Sequence, residues 1–426
     1  MTRPRQTAVT IGVFTLLVLL AAPTSLLAAQ TVSTIVDRGS TASCIDVVIV
    51  AEGYLAADDA LFAADAKALA DGVFGFGPYA AMSAFVNVHT LFVASKERGA
   101  DHPSEGAAVQ TAFDATFETG GIKRLLTADD AKVMVAVTEA FAEWDLAVLL
   151  VNDEAYGGSG GPVPVVSVNG LAIDILRHEV AHAIAGLADE YEDPYPGKPI
   201  EDPEPNVALK ANLNPLKWQH WVTEGTAIPT PDEAADSAFS PIGAYEGARH
   251  QTKGMFRAAP TCMMRDLNAT FCPICWESII VAMAAQIDAL ESAFPANETV
   301  MCGKNACPLL ALKVRALTPI SVQWRVDGAL IEAANQSQWA PAGLSAGNHT
   351  VVATARWFNA SVRSPANGVE VARRSWQVLA PSAGPGGHGS DGSAVAADVA
   401  GDASGAETGK DRSGWQAGCA AKATHD

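Results

Sequence analysis

The residues with the clearest chemical potential lie in positions 177–191, RHEVAHAIAGLADEY. They contain H-E-x-x-H at His178, Glu179 and His182. Two histidines four apart on a helix share a face and can hold one metal ion, with the glutamate beside it. With nine histidines in 426 residues, chance supplies such a motif roughly 0.01 times. The plain alternative is an ordinary helix with two polar residues on its inner face. A catalytic zinc usually takes three protein ligands and keeps one position open. Here the stretch ends in Asp-Glu-Tyr, without a third histidine. On an unbroken helix, at about 100° per residue, positions 178, 182 and 189 point within ~40° of one another, yet Asp189 stands ~10 Å beyond His182 along the axis. Asp189 reaches the metal only if the chain leaves the helix in between, and Gly186 is where it can. Asp189 is therefore the expected third ligand. Glu190 is its main rival, and Glu201 and Glu204 are poorer ones; alternatively, Asp189 orients a histidine ligand without touching the metal.

The residue types then set the chemistry. His178 and His182 serve as neutral imidazole ligands of one Zn2+ ion. Glu179 is placed to take a proton from water and pass it to a leaving amine. That is hydrolysis of a peptide bond without a covalent intermediate.

The surrounding elements must hold these groups in place. CIDVVIVAEGY (Cys44–Tyr54) reads as a buried strand running into a loop. Residues 57–72 have helical spacing, Phe85–Ser95 reads as a strand, 127–143 as a helix and Asp145–Asn152 as a third strand. YGGSGGPVPVVSVNG is a glycine loop with an edge strand, and LAIDILRHEVAHAIAGLA has helical apolar spacing. Strands alternating with helices predict an α/β domain with a mostly parallel sheet. Ile274–Ala293 reads as a closing amphipathic helix. From about Thr299 short alternating stretches appear, SVQWRVDG, GNHTVVATARW and SWQVLA, which predict a small β-sandwich. The expected organisation is an export signal at 1–29, a catalytic domain at 30–297, a β-sandwich at 298–380 and a disordered low-complexity tail at 381–426.

Composition narrows the partners. A formal charge of −19 argues against nucleic acid or an anionic membrane surface. MTRPRQ followed by AVTIGVFTLLVLLAA and small residues to Ala29 has the layout of a secretory signal peptide, shorter than a membrane span of ~20 residues. A secreted, extracellular protein is expected, periplasmic or attached to the cell surface as variants, with no membrane span after cleavage. Export permits disulfides among the seven cysteines. Cys302 and Cys307 are close enough to pair. Cys262, Cys272 and Cys275 form a cluster that either includes a bridge or holds a structural zinc, for which the sequence names no fourth ligand. The odd count leaves at least one thiol free or paired outside the chain.

HEVAHAIAGLADEY resembles the signature of the IgA peptidase family of zinc metallopeptidases, which is metzincin-like. IDVVIVAEGY (Ile45–Tyr54), FVNVHTLFVASKERGADHP (Phe85–Pro103), VNDEAYGGSGG (Val151–Gly161), EPNV (Glu204–Val207), KWQHW (Lys217–Trp221) and the blocks GAYEGARHQTKGMFRAAPTCMMRD and FCPICW within Gly243–Trp276 fit the same pattern. The resemblance covers roughly Val36–Ala293. It implies an α/β (α+β) metzincin-like zinc peptidase fold, one catalytic zinc, the glutamate base and a methionine-containing turn beneath the metal. That turn maps to CMMR, with Met264 as its floor residue and Met263 second; plain core methionines would look the same. AEGY stands where Gly-Asp-Gly-Tyr is expected, Ala181 replaces a common glycine, and the spacing to Asp189 is one residue longer than in the common metzincin pattern.

Tyr191, Tyr245 and His220 are weaker candidates for contacting an oxyanion or substrate; residues of these types are more often packing or surface residues. The glycines of Tyr156–Gly161 would let a substrate backbone lie beside the edge strand, or simply make a turn. The expected function is a secreted zinc-dependent endopeptidase acting on protein or peptide substrates. The competing class is a zinc-stabilised extracellular binding or adhesion protein without peptidase activity. An amidase acting on cell-wall peptides would use the same chemistry.

Overall fold

The structure, a computed structural model, describes residues 32–193, 200–231, 240–304, 306–366 and 368–382. The expected export signal, the tail beyond residue 382 and Cys419 lie outside the described residues. Among the described residues, no helix is long and apolar enough to cross a membrane.

The N-terminal half is built on a six-stranded sheet. Its elements in chain order are β1 (Val32–Val36), β2 (Ile45–Glu52), α1 (Asp59–Phe74), α2 (Gly77–Ala80), β3 (Val86–Leu91), α3 (Asp130–Ala140), β4 (Leu146–Val151), β5 (Gly158–Ser159), β6 (Val165–Ser167) and α4 (Ala172–Ala185). The strand order is β1-β3-β2-β4-β6-β5. The β3-β2-β4-β6 centre is parallel, and the two edges are antiparallel. This is the mostly parallel sheet expected from the sequence.

The apolar runs explain the placement. IDVVIVAE and LAVLLV are buried at every position, as central strands covered on both faces must be. Alternation along β2 divides the two cores. Val47, Ile49 and Ala51 face a cluster containing α1, α4 and their neighbours. Val48 and Val50 face α3, through Val133, Ala136 and Val137, together with Phe113, Phe117 and Leu126. The result is a helix–sheet–helix stack with α4 on the first face.

Glu52 ends β2 inside the protein. Its carboxylate accepts backbone N–H bonds from Ala112, Phe113 and Ala115 at 3.0–3.1 Å, so the AEGY departure retains an acid with a structural task. The next residue, Gly53, has φ +70°, and a Cβ there would fall 2.4 Å from the Gly99 carbonyl oxygen. Glu52→Ala strands the buried Phe113 and Ala115 donors, while the Ala112 N–H keeps its bond to Ser95 Oγ, and should cost about 2–4 kcal/mol in unfolding free energy. Denaturant melts of the two proteins check this; a loss below about 1 kcal/mol would contradict the assignment.

After α4 a three-stranded sheet forms from β7 (Val207–Leu209), β8 (Tyr245–Ala248) and β9 (Gln251–Arg257), ordered β7-β9-β8. Helix α5 (Pro273–Ala284) follows. It is shorter than the helix expected at 274–293. Leu290–Phe294 is strand β10, paired antiparallel with β12 (Leu310–Val314). The short segment LESAF has no decisive period of its own, so the available sheet edge sets its conformation. The sheet that contains β10 thus begins on the N-terminal side of residue 297.

The remaining strands are β11 (Thr299–Met301), β13 (Ile320–Val326), β14 (Ala329–Leu330), β15 (Gln338–Trp339), β16 (Gly347–Trp357) and β17 (Val369–Ala380). They form sheets ordered β10-β12-β15 and β11-β17-β16-β13-β14. Trp324 of β13 packs against Trp376 of β17 and against Trp339 of the other sheet, with ring centroids 5.9 and 5.5 Å apart. Cys302 and Cys307 are joined in a disulfide. One buried cluster runs without a break from Val47 in β2 to Val378 in β17. Glu277 of α5 helps tie the halves together. It accepts from the Ser364 backbone N–H at 2.6 Å and from Trp221 Nε1 at 2.6 Å, and it also receives the Arg363 backbone N–H.

Candidate metal centre

Helix α4 carries His178, Glu179 and His182. Its apolar face, Ile175, Leu176, Val180, Ala181 and Ile184, is buried in the main core. Ala181 has no exposure, so the alanine in place of the expected glycine simply fills core space. The face one step round presents the two histidines. The helix stops at Gly186, which adopts the left-handed conformation (φ 58°, ψ 35°) that glycine enters without a Cβ penalty.

The chain beyond that turn comes back to the histidines. Asp189 Oδ1 lies 3.0 Å from His178 Nε2 and 3.2 Å from His182 Nε2, and the two Nε2 atoms are 3.0 Å apart. The residues singled out by helix geometry are therefore brought together. On each ring the other nitrogen is engaged by a carbonyl: His178 Nδ1 donates to Met263 O at 3.0 Å, and His182 Nδ1 donates to Leu187 O at 2.5 Å. That tautomer points both Nε2 lone pairs at each other and at a carboxylate oxygen. Three acceptors facing one point repel unless a positive charge, a proton or a metal ion, lies between them. Ligands on a tetrahedral centre with bonds of about 2.0–2.1 Å lie roughly 3.3–3.4 Å apart, close to this triangle. The donor set of two imidazoles and one carboxylate fits zinc.

The electrostatics agree. Burial, the largest influence on His182, lowers its pKa, but the Asp189 charge and hydrogen bond outweigh it and raise the imidazole to about 9. Burial raises Asp189, yet the neighbouring imidazoles bring it well below the usual carboxylate range. The pocket is organised to hold positive charge.

The 189–191 segment is clamped from two sides. Glu190 N–H donates to Met264 O at 2.7 Å, and Arg265 Nη1 donates to Glu190 O at 2.9 Å. The Arg249 and His250 N–H groups donate to the Asp189 and Tyr191 carbonyls at 2.9 and 3.0 Å. His250 Nε2 also lies 3.4 Å from Asp189 Oδ2, the oxygen turned away from the two histidines.

A cleft of about 500 Å³ opens beside His178 and Glu179, with Arg124, Tyr156, Tyr191 and Arg265 among its lining residues. Its floor meets the edge strand β5 at Gly157 and Gly158. Glu179 is partly buried, and burial raises its carboxyl above the ordinary value while the two histidines oppose that shift. A Cβ on Gly160 would lie 2.6 Å from Glu179 Oε2. Because that atom ends a flexible side chain, Gly160→Ala should displace the carboxylate rather than unfold the loop. The expected result is a fall of about 10-fold or more in kcat with unchanged zinc content. Steady-state kinetics and metal analysis check it, and an unchanged kcat would show that Glu179 tolerates displacement.

The other sequence candidates sort as follows. Tyr191 lines the cleft, and burial and then the Asp189 charge raise its phenol pKa. Tyr245 is fully buried and donates to the Pro241 carbonyl at 2.9 Å; its place in β8 turns it into the core and away from the cleft. His220 is bound to Glu277 at 2.7 Å. Glu201 and Glu204 pair with Arg249. Glu190 has no exposure and accepts from Asn206 at 2.9 Å, pointing away from the histidines. Of the two turn methionines, Met263 lines the cleft and supplies the carbonyl that orients His178, whereas Met264 is fully buried. Sequence reasoning missed His250, Arg265 and Asn206. They act from distant segments whose only common signal was the set of short blocks between Glu204 and Trp276.

Residues 33–240 match the model of the family described as IgA Peptidase M64. The match contains His178, Glu179, His182 and Asp189 and ends before the Cys262–Arg265 turn. No curated protein matches the chain. Two solved structures resemble parts of it. The Bacteroides ovatus mixed-linkage glucan utilization locus protein SGBP-B, in complex with a mixed-linkage heptasaccharide, is 13% identical over 24% of this chain and 25% of its own, with a TM-score of 0.17. Clostridium thermocellum CbhA fibronectin(III)-like modules are 16% identical over 22% of this chain and 96% of their own, with a TM-score of 0.15.

Proposed function

We propose that the protein is an exported zinc-dependent endopeptidase in which His178, His182 and Asp189 hold the metal and Glu179 is the general base. The observation that carries this reading is the convergence of two imidazole nitrogens and one carboxylate oxygen on a single point beside an open cleft. We read the chain as a metzincin-like catalytic part closed by α5, followed by a β-sandwich built from β10–β17.

When bound, zinc supplies Lewis acidity to the scissile carbonyl and to the attacking water. Glu179 takes a proton from that water as its oxygen bonds to the carbonyl carbon. The same carboxyl gives the proton to the amide nitrogen as the carbon–nitrogen bond breaks. Burial raises the Glu179 carboxyl above the ordinary value, which makes it a stronger proton acceptor than a solvated carboxylate. The Tyr191 phenol, which bonds Asp189 in the substrate-free site, would turn to donate a hydrogen bond to the developing oxyanion. The substrate backbone enters the cleft beside Glu179 and passes Gly160; the outer edge of β5 is already taken, since the Gly158 N–H donates to the Arg124 carbonyl and Gly158 bridges Leu125.

The test is cleavage of a broad peptide library by the full chain, mapped by mass spectrometry. Cleavage that stops on chelation and returns with zinc supports the reading. A zinc-loaded protein that cuts no member of the library overturns it in favour of an extracellular binding protein.

A further inference from the structure

A second set of ligand atoms converges behind the first. Cys262, Cys272, Cys275 and Glu190 are all buried, and their sulfur and carboxylate oxygen atoms lie within 4.8 Å of one another. None of these three cysteines is in a disulfide. The cysteine cluster that lacked a fourth ligand in the sequence acquires one through the fold, from the rival that the first site does not use.

Three details indicate a cation. Glu190 has no exposure, and its Oε2 has no hydrogen-bond partner among the described residues, a costly arrangement for a buried carboxyl. Its Oε1 lies 3.3 Å from Cys275 Sγ and is oriented by Asn206 Nδ2 at 2.9 Å. The Cys272 N–H donates to Cys262 Sγ at 3.3 Å, a bond that favours a thiolate. Cys272 caps α5 and Cys275 lies in its first turn, at the positive end of the helix; burial nevertheless pushes the Cys262 and Cys275 thiols up, so their ionisation calls for a cation beside them. Sulfur and oxygen ligands on a tetrahedral zinc lie roughly 3.5–3.8 Å apart; here Glu190 Oε1 and Cys275 Sγ are 3.3 Å apart and every pair lies within 4.8 Å. A disulfide between any two of these cysteines would leave the third thiol and the Glu190 oxygen unanswered.

We propose that Cys262, Cys272, Cys275 and Glu190 form a second zinc site, structural and closed to solvent. Its role is to position the first. Neighbouring residues serve the two sites: Asp189 turns to the histidines and Glu190 to the cysteines, while Cys262 binds behind the Met263 carbonyl that orients His178. The second ion thereby fastens the 189–191 segment and the 262–265 turn to α5. It is not a catalytic ion, because no position is open to substrate.

The full chain, purified without reductant, should carry two zinc ions. Cys262, Cys272 and Cys275 should resist alkylation until the protein is denatured with a chelator. His178→Ala/His182→Ala should keep one ion, and cobalt in that variant should give thiolate-to-cobalt charge-transfer absorption that Cys272→Ala/Cys275→Ala abolishes. If a variant fails to fold, the wild-type zinc count and thiol protection decide. A disulfide among the three cysteines, or a single zinc in wild type that the double-histidine variant loses, overturns the proposal. Zinc retained by the double-histidine variant beside a wild type that cleaves nothing would leave this site standing and remove the peptidase reading instead.

Discussion

Glu179→Gln should abolish most peptide-bond hydrolysis while leaving the metal content unchanged. The substitution keeps the shape of the side chain and removes only its ability to take and return a proton. The triangle of His178, His182 and Asp189 does not depend on Glu179, because each imidazole is oriented by a carbonyl, Met263 or Leu187, on another segment. Loss of a positioned general acid–base typically lowers kcat on the order of 10²–10⁴-fold. The measurement is kcat on a cleavable peptide together with zinc per chain. Retention of kcat within a few-fold would remove Glu179 from the reaction. Loss of zinc would make Glu179 part of the binding set and call for a different base.

Asp189→Ala should remove the zinc held by the two histidines, and activity with it. Two imidazoles alone make a poor site, and the carboxylate contributes a ligand atom 3.0 and 3.2 Å from the two Nε2 atoms and a buried negative charge. The loss of zinc affinity should exceed the roughly 10–100-fold that follows removal of a group acting only on a ligand. Competition with a chromophoric chelator measures this. His250→Ala offers a useful contrast. It removes a partner of the other Asp189 oxygen, so a smaller loss, within that 10–100-fold range, is expected. An Asp189→Ala protein that binds zinc as tightly as His250→Ala would show that Asp189 acts from outside the metal's ligands.

The central strands and α4 were legible because their signals are local. A continuous apolar run with flanking turns needs no partner to be read as a buried strand, and His178 and His182 are related by the helix period alone. Asp189 was legible through a further local fact, the glycine at 186 that lets the chain turn back. The choice between Asp189 and Glu190 was not legible. Adjacent residues point in opposite directions, and which direction faces the histidines depends on the hydrogen bond accepted by the Met264 carbonyl and those donated by Arg249 and Arg265, far along the chain. The partners of Glu190 illustrate the same limit. Cys262, Cys272 and Cys275 stood out as a group, but their approach to Glu190 exists only once α5 packs behind the 262–265 turn. Tyr245 looked chemically useful and proved to be core, since a tyrosine in a short strand carries no sign of which face it occupies. Leu290–Phe294 was drawn into the helix pattern because five residues cannot distinguish the two periods until a neighbouring strand is present.

X-ray diffraction from crystals of the zinc-loaded chain on either side of the zinc absorption edge tests the central claim most directly. An anomalous peak bonded to His178 Nε2, His182 Nε2 and an Asp189 oxygen, with one position open toward the cleft beside Glu179, is the predicted result. A zinc bound to the two histidines with Asp189 outside bonding distance, or no peak at the histidines at all, would contradict it.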